Sequence, residues 1–587
     1  MFIELNLKTS EIIQLKNDFG TFVYRFQNKV IACSLSFDLN ESECLKTEIS
    51  KINKETELLK LESLFPNGFF IVLIDDKQVF TFRDLSGVKT GYYKFDNVEN
   101  LCISTNSHVI AKTYNNSFID KNNIDQLLFS EFLIDGKSIY NDVYEFLPGE
   151  KRMLSKHEGK FSIVEKQKLE LSNIENNLTF DENKLRLRDL IIKSHQNSIG
   201  PENIIYLSGG IDSCVMLGAL DEVLPKDRIQ NVSYKVKGTN EDETIFAQKA
   251  AKFLGFKCKI IEVDPFSKKT VENLEERILK YNNPYIGLLL FKPTIGENNH
   301  YFAGQDTRLH TPDINALTKR VFDKIVSYKK LNLSNKYPLL DTLLKALYKS
   351  NLTKSQNVYL RNLDHIILSA LAKEKYMNSI IFKNDIKKAT KFKLDISNNS
   401  FRDEHFSFDE IEISSTRQLY NLVVERKWNE QYTDDIKYMV EMGIETKNYT
   451  QMPFYNIELA RFSSTIPMSI GAMFTEGVDK FSDKKVKVNK VLLREAFKDK
   501  ISPDVLYRKK AVSMTIPLMF SGELGSLVKQ EIKRDLESNN SLIKEFGYEG
   551  FVERYNYTNS WKVSDQQYLL RVYYLYCILI YKKNLEN

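Results

Sequence analysis

The feature that most restricts the fold of this chain is a short apolar run followed at once by two glycines. Residues 204–207 read Ile-Ile-Tyr-Leu, and six loop residues follow them: Ser208, Gly209, Gly210, Ile211, Asp212 and Ser213. An apolar run of this length is typical of a buried parallel strand. Adjacent glycines allow backbone angles closed to other residues and let a ligand approach the main chain. The sequence therefore predicts a strand, then a glycine loop, then a helix that begins near Cys214.

The chemistry of this loop suits a diphosphate. Ser208 and Ser213 provide hydroxyl donors, and the N-terminus of the following helix provides N–H groups and a positive dipole. The spacing GxxxxGK[ST] is absent, so this is not a Walker A loop. Asp212 would repel a phosphate unless a cation lay between them, so we expect Asp212 to hold Mg²⁺. The alternative is a glycine turn in which Asp212 only caps the helix.

The same strand pattern recurs along the chain. Residues 232–236 (VSYKV) and 259–263 (KIIEV) repeat it, with helical patterns between, which predicts α/β architecture with a doubly wound parallel sheet. Upstream, residues 68–74 and 78–82 predict a β-hairpin in a β-rich region of about 170 residues. An amphipathic helix is predicted from about residue 183 to residue 200. Beyond about residue 315 the pattern is mostly helical, which predicts helical insertions.

Composition excludes several classes of protein. The chain has 587 residues, 42% hydrophobic and 27% charged, as in ordinary globular proteins, with a net charge of +5 that does not indicate nucleic-acid binding. The six cysteines form no CxxC pair, so neither a zinc site nor a redox dithiol is predicted. Residues 572–581 are too few to span a bilayer and predict a buried helix. With no signal-like N-terminal segment, we expect a cytoplasmic protein with no membrane partner.

At residues 208–213 the sequence resembles the ATP pyrophosphatase (PP-loop) enzymes, whose signature is SGGxDS. Within them it is similar to the asparagine synthetase family, which includes β-lactam synthetases and lasso-peptide cyclases. The resemblance spans nearly the whole chain and rests on further blocks. These are residues 232–264, which resemble an adenine-binding strand and the D-E-x-x-x-A helix; 300–306 (HYFAGQD), similar to SGEGADE; 452–456 (MPFYN), similar to VPFLD; 487–503, matching K-x-x-L-R-x-x-F; 508–510, matching RxK; and the C-terminal helix.

The resemblance implies an ATP-dependent ligase that adenylates a carboxylate, releases pyrophosphate and passes the acyl group to an amine or ammonia. It implies ATP and Mg²⁺ as cofactors, with Asp212 and Asp306 as metal carboxylates at neighbouring strand ends. Lys490, which we expect to share a helix face with Arg494, would stabilise the tetrahedral intermediate. The residues expected to bind ATP are Leu207, Ser208, Gly209, Gly210, Asp212, Ser213, Val236, Phe302, Gly304 and Arg494.

The N-terminal region departs from the family. Residues 66–70 and 83–93 resemble the glutaminase domain of glutamine-dependent members, and residues 134–150 resemble the link that follows it. That domain starts with Met-Cys, whereas position 2 here is Phe2 and the first cysteine is Cys33. We therefore expect residues 1–172 to form an Ntn-hydrolase-like αββα domain without glutaminase activity. Residues 173–587 would form the PP-loop synthetase domain.

The substrate region also departs from the family. Ala303 stands where the family has Glu, or Tyr in β-lactam synthetases, and Ala can neither move a proton nor bond a substrate. His310 and Tyr301 are weak candidates to replace it, and Asn456 replaces the Asp of VPFLD. The leading hypothesis is an amide-forming ligase acting on a small-molecule or peptide carboxylate. Asparagine synthesis with ammonia or partner-supplied nitrogen, and a non-catalytic scaffold, remain alternatives. A protein partner on the N-terminal domain and a homodimer are further expectations.

Overall fold

The computed structural model describes most of the chain outside one long stretch. The described residues are 1–6, 12–26, 29–35, 68–75, 78–96, 100–113, 117–130, 133, 136–155, 160–239, 242–282, 284, 296–304, 323, 415–429, 434–510, 515–558, 560–562 and 565–586. The predicted metal ligand Asp306 and the candidate His310 lie outside them, as does most of the predicted helical insertion.

The N-terminal region consists of two antiparallel sheets. Its strands are β1 (Phe2–Asn6), β2 (Ile12–Lys16), β3 (Thr21–Phe26), β4 (Lys29–Leu35), β5 (Phe69–Asp75), β6 (Gln78–Arg83), β7 (Tyr92–Asp96), β8 (Asn100–Ser104), β9 (Tyr144–Glu145), β10 (Glu150–Ser155) and β11 (Lys160–Lys166). One sheet has the order β2-β1-β8-β7-β9 and the other β11-β10-β6-β5-β4-β3. The predicted hairpin is confirmed, because β5 pairs antiparallel with β6.

The two sheets pack face to face through alternating side chains, as sheets with one apolar face do. Ile3 and Ile103 of the first sheet meet Phe70 and Val72 of the second in one buried cluster. The other face of the first sheet is covered by α1 (Ser107–Thr113) and α2 (Lys121–Ser130), again through buried apolar contacts. The described residues therefore form three layers: the two helices pack on the first sheet, and the opposite face of that sheet packs on the second sheet.

The second region is built on a parallel sheet. Its strands are β12 (Asn203–Tyr206), β13 (Ile229–Val236), β14 (Cys258–Val263), β15 (His300–Phe302) and β16 (Tyr449–Gln451), in the order β14-β13-β12-β15-β16. All four neighbouring pairs are parallel. The three strands predicted from apolar runs are confirmed as β12, β13 and β14. The strand order reverses beside β12, and ligands bind at such a switch point, outside the carboxyl ends of the strands.

Helices lie on both faces of this sheet. The described helices of the region are α3 (Phe180–Gln196), α4 (Ile211–Val223), α5 (Thr244–Phe253), α6 (Leu274–Ile278), α7 (Thr416–Asn429), α8 (Asp434–Glu445), α9 (Ile457–Thr465) and α10 (Met468–Gly471). Ile205 and Phe302 face the side of α3, α4 and α5. Ala303 faces α7 and α8 on the other side. The mixed α/β fold with a β-rich N-terminal region and a parallel sheet is confirmed.

Two local signals explain where helices of this region begin. Thr179 and Glu182 form a capping box at the start of α3, in which each side chain accepts the other's backbone N–H. Asn456, which stands where the family has Asp, accepts the N–H of Leu459 at 3.1 Å and caps α9. The amide oxygen therefore provides the capping contact that a carboxylate would give at this position.

The C-terminal part adds a hairpin and further helices. These are β17 (Thr475–Asp479), β18 (Lys484–Val488), α11 (Val491–Ala496), α12 (Pro503–Leu506), α13 (Thr515–Phe520), α14 (Glu523–Glu537), α15 (Leu542–Phe546), α16 (Glu549–Tyr557) and α17 (Gln566–Glu586). Residues 572–581 of α17 are buried, as predicted, and pack against α2 and α14. Within the described part of the chain, no helix is both long and apolar enough to cross a membrane.

Candidate active site

The loop that follows β12 is held in shape by its own hydroxyl groups. Ser213 Oγ accepts the backbone N–H of Ser208 at 3.1 Å and lies 3.1 Å from Ser208 Oγ. Ser208 Oγ in turn accepts the N–H of Gly210 at 3.3 Å. These bonds close the loop over the N-terminus of α4. The two serines predicted to bind phosphate therefore also fix the backbone that would surround it.

Gly209 and Gly210 make this close geometry sterically feasible. Gly209 has φ = +67°, and a Cβ there would lie 2.9 Å from Ala247 N, Glu243 O and Phe246 Cβ. Gly210 is the N-cap of α4 and has no side chain to cap its first turn. The N-terminus of this 13-residue helix therefore faces the cavity in a form suited to an anion.

Asp212 and Lys490 form a two-pronged ion pair beside the loop. Lys490 Nζ lies 2.9 Å from both carboxylate oxygens of Asp212, and the two side chains are 11% and 26% exposed. Lys490 has φ = +58° and precedes α11, in which Arg494 N donates to Lys490 O at 3.0 Å. We expected Lys490 and Arg494 to share a helix face, but Lys490 lies outside the helix, which begins one residue after it. The lysine and the loop carboxylate nevertheless meet across 278 residues of sequence.

Arg494 lies beneath the same site and is largely buried. Its Nε donates to Asn489 O at 2.8 Å, and its Nη1 donates to Leu506 O. Burial lowers the pKa of the guanidinium, and the field of Asp212 opposes that shift. Arg494 therefore ties the segments on either side of α11 together and brings a positive charge to the cavity lining.

Arg508 is a site residue that the sequence prediction missed. Its Nη2 and Nε donate to Gly209 O at 2.7 and 3.2 Å, and its Nη1 donates to Glu243 Oε1 at 3.0 Å. Its guanidinium lies 4.0 Å from the ring centroid of Phe246. A planar fork that bonds two partners while stacking on a ring is specific to arginine. The RxK block contained the signal, but a sequence motif does not show that its arginine bonds the glycine loop.

These groups surround a cavity of about 900 Å³ outside the carboxyl ends of β12, β13 and β15. Its charged lining comes from the loop, β13, the segment before α5, the β17–β18 hairpin, α11 and the segments next to α11 and α12. Its uncharged lining includes serines and threonines of several segments and, toward α8, aromatic and apolar residues. The charged lining residues are Asp212, Lys235, Asp242, Glu243, Asp479, Lys487, Lys490, Arg494, Arg508, Lys509 and Lys510.

The other predicted ATP residues take different places. Leu207 and Val236 line the cavity, and Val236 O accepts Thr239 Oγ1 at 2.8 Å. Gly304 also lines it, and a Cβ there would lie 3.8 Å from Asp212 Cβ. Phe302 has no exposed surface and stacks on His195 in the core, so its side chain supports the strand and does not contact a ligand in the cavity.

The residues present fit ATP better than they define a complete metal site. A glycine loop, a helix N-terminus and several cations are what a triphosphate requires. Asp212 provides one carboxylate suited to Mg²⁺. Among the described residues no group of three His, Cys, Asp or Glu side chains is placed to hold a metal.

The N-terminal region holds no reactive thiol at the positions that the sequence pointed to. Phe2 is buried in β1 against the core that includes α17. Cys33 lies inside β4, where burial raises the pKa of its thiol to about 12. A thiol with that pKa remains protonated at neutral pH and is a poor nucleophile.

Comparison with known proteins gives one family match. Residues 202–284 match the family model for asparagine synthase, which confirms the resemblance for the stretch that carries β12, the glycine loop, β13 and β14. No curated protein gives a significant match. One similar solved structure is glutamine phosphoribosylpyrophosphate amidotransferase from B. subtilis complexed with ADP and GMP. It is 9% identical, the match covers 51% of this chain and 59% of that one, and the TM-score is 0.15.

Proposed function

We propose that this protein is an ATP-dependent ligase that adenylates a carboxylate and transfers the acyl group to an amine or ammonia, releasing AMP and pyrophosphate. The asparagine synthase match supports an ATP-using, amide-forming ligase at the level of the family. The observation that carries the finer proposal is the convergence of the glycine loop, Asp212 and Lys490 on one cavity. In this reaction a carboxylate oxygen attacks the α-phosphorus of ATP, and the bond to pyrophosphate breaks.

The loop and the cations have separate tasks in this reaction. Ser208, Ser213 and the N-terminus of α4 bind the phosphate oxygens, and Arg494 and Lys510 add positive charge where pyrophosphate leaves. Lys490 is held at the loop by Asp212 and faces the same cavity, so its ammonium can donate to the oxyanion that forms when the amine attacks the acyl carbon. Fixed donors of this kind lower the barrier because they need no reorganisation as charge develops.

Bound Mg²⁺ would neutralise phosphate charge and favour departure of pyrophosphate. Asp212, the carboxylate of the loop itself, would hold it, and Asp306 is proposed as the second carboxylate by family resemblance. Val236, the last residue of β13, and Thr239, three residues after it, would border the adenine.

We further propose that the nitrogen does not come from glutamine hydrolysis in the N-terminal region. Phe2 provides no nucleophile, and the raised pKa of Cys33 makes it a poor substitute. The purified protein should therefore release no glutamate from glutamine. Glutamate release above the buffer control would contradict this part of the proposal.

The ligase proposal is tested by AMP formation. Purified protein with ATP, Mg²⁺, ammonia and a panel of carboxylic acids should release AMP and pyrophosphate with at least one acid. Lys490→Gln should lower that rate about 100-fold or more, as loss of an oxyanion donor does. Lys484→Gln, on the exposed side of β18, serves as the matched control and should not change it. Release of ADP in place of AMP, or normal rates in the Lys490 variant, would contradict the proposal.

A further inference from the structure

The cavity extends beyond the phosphate loop toward β15 and α8. Neighbouring strands lie about 4.8 Å apart, so Val236 on β13, the loop after β12, and Ala303 after β15 mark three successive positions along the sheet edge. If ATP binds as proposed, its base lies at the β13 end and its phosphates at the loop. The β15 end then remains for the second substrate, whose carboxylate must reach the α-phosphorus.

The wall at this end is aromatic and apolar. Met442 lies three residues after Met439 and four after Tyr438 on α8, so its side chain neighbours both of theirs on the helix surface, and all three residues line the cavity. Ala303 lies against them in the same buried cluster. Tyr206 forms the adjoining floor, where its ring stacks on Tyr301 at 5.2 Å and lies 5.6 Å from Tyr234.

The wall is also electrically neutral over the described residues. Burial raises the pKa of Tyr206 well above its ordinary value, so the phenol stays protonated at physiological pH. The charged lining residues belong to the loop, β13, the segment before α5, the β17–β18 hairpin, α11 and the segments next to α11 and α12. A dicarboxylic amino acid would need a partner for its ammonium and for its second carboxylate, and the described side chains of this wall supply neither.

We propose that this wall is the acyl subsite and that the acid activated here carries an apolar group, with an aromatic ring or an alkyl chain next to the carboxylate. This inference rests on the proposed ligase function and names its substrate class. Methionines adapt their shape and contact rings favourably, and tyrosines provide flat apolar surface. The small side chain of Ala303 leaves space for an apolar group of the substrate, whereas a glutamate at the same position would occupy that space and add a negative charge.

The test is ATP–pyrophosphate exchange by the full-length protein with defined acids. A straight-chain series from butanoate to decanoate, with 3-phenylpropanoate, is compared with aspartate and glutamate. Burial of one methylene changes binding by about three- to fourfold, so kcat/KM should rise by about that factor per carbon until the wall is covered. Aspartate and glutamate should be at least about 100-fold poorer than the best apolar acid.

Variants locate the effect in the wall. Ala303→Glu should lower kcat/KM for apolar acids at least about tenfold while ATP affinity, measured without acid, stays unchanged. Met439→Gln provides the same test if Ala303→Glu does not fold, and Ile174→Gln, at a residue 79% exposed, controls for added polarity. Equal loss in the Ile174 variant, or no loss in either wall variant, would overturn the inference.

The two proposals fail in different ways. Exchange with aspartate as fast as with octanoate would overturn the acyl subsite and leave the ligase standing. Absence of exchange with every acid would count against the ligase. In that case calorimetry with octanoate and 3-phenylpropanoate, in the presence of α,β-methylene ATP, tests the wall directly. Binding that Ala303→Glu abolishes would support the subsite, and no binding by wild-type protein would overturn it.

Discussion

Gly209 and Gly210 stand side by side in the phosphate loop but differ in their surroundings. Gly209 has a positive φ, and backbone atoms of α5 lie 2.9 Å from where its Cβ would be. Gly210 has φ = −84°, and its nearest contacts would be Ser208 Oγ at 3.3 Å and the flexible side chain of Lys510 at 3.4 Å. Backbone conformation and backbone packing therefore require glycine at position 209 but not at position 210.

Alanine substitutions of the two glycines should therefore differ in their effect on the free energy of unfolding. Gly209→Ala should lower the free energy of unfolding by about 1–3 kcal/mol. Alanine is strained at the positive φ of this residue, and its Cβ would collide with the backbone of Glu243 and Ala247. Gly210→Ala should lower it by less than about 1 kcal/mol, since Lys510 can move. Urea denaturation of both variants and the wild type measures the difference. Equal destabilisation by the two substitutions would contradict this account of the loop.

Several site residues could be predicted individually from the sequence. Ser208, Asp212 and Ser213 lie in a loop whose chemistry is local, whereas Lys490 was expected from the family resemblance. The structure brings all four to one cavity. Arg508 was missed because its role depends on a bond to Gly209, almost 300 residues away. Phe302 was included because it lies in a motif, yet strand alternation turns its side chain into the core, whereas its neighbour Ala303 lies at the cavity.

At the scale of elements, the connection between β6 and β7 is unusual because it is buried. Asp84 accepts the N–H groups of Phe69 and Ser86, each at 2.9 Å, and Leu85 O accepts Trp428 Nε1 of α7 at 2.7 Å. Lys89, in the same connection, is only 4% exposed. Burial lowers the pKa of its ammonium to about 7. Keeping Lys89 charged in this buried segment therefore destabilises the folded protein.

Replacing that cation with an apolar group should stabilise the protein in a pH-dependent way. The pKa of Lys89 is about 7 in the folded protein and about 10.4 in an unfolded chain. Wild-type stability should therefore rise between those pH values, as the folded state loses its proton first. Lys89→Met should raise the free energy of unfolding by roughly 1–4 kcal/mol below pH 7, with a smaller gain at pH 9.

Urea denaturation at pH 6.5 and pH 9 measures this gain. Lys485→Met, at a lysine 85% exposed, is the control and should change stability little at either pH. A gain from Lys89→Met that is the same at both pH values, or a loss at pH 6.5, would show that the ammonium is not destabilised by burial.

Elements with a regular apolar pattern were predicted well. The apolar runs located the parallel strands β12, β13 and β14. β12 and β13 lie inside the sheet and are mostly buried, as such runs predict, whereas β14 lies at the sheet edge and has no fully buried residue. Lys490 was expected to share a helix face with Arg494, but α11 begins one residue after it. Lys490 adopts a left-handed backbone that periodicity does not reveal.

At the scale of the whole molecule, a buried ionic network joins the N-terminal sheets to α8. Glu145 lies 2.8 Å from both Arg83 Nη1 and Lys437 Nζ, and all three side chains are nearly inaccessible to solvent. Burial opposes ionisation of Glu145, but Lys437 and Arg83 together hold its pKa below the ordinary value. Since α8 also lines the cavity, this carboxylate connects the two regions of the protein close to the site.

Removing this charge should destabilise the protein strongly. Glu145→Gln leaves Lys437 and Arg83 buried without their carboxylate, and loss of one partner of a buried pair costs about 3–5 kcal/mol. Glu297→Gln, in the exposed pair with Lys447 at 3.2 Å, is the matched control and should cost less than about 1 kcal/mol. Chemical denaturation followed by circular dichroism measures both. Similar values for the two variants would contradict a structural role of the network.

Such long-range contacts mark the limit of what the sequence can predict. The strand at residues 204–206 and the loop after it are local patterns, so the class of fold and the centre of the site could be predicted. The pairing of Glu145 with Lys437 joins residues 292 apart, and no local pattern encodes it. The wall formed by α8 escaped prediction for the same reason, since its residues reach the cavity only through the packing of the whole chain.

The central claim is that a carboxylate attacks the α-phosphorus of ATP in this cavity, and oxygen labelling tests it most directly. The acid that gives the fastest AMP release is prepared with ¹⁸O in both carboxylate oxygens and turned over with ATP and ammonia. The account predicts one ¹⁸O in the AMP, because the acyl-adenylate leaves one carboxylate oxygen on the phosphate when the amide forms. Label in inorganic phosphate, or AMP without label, would contradict it.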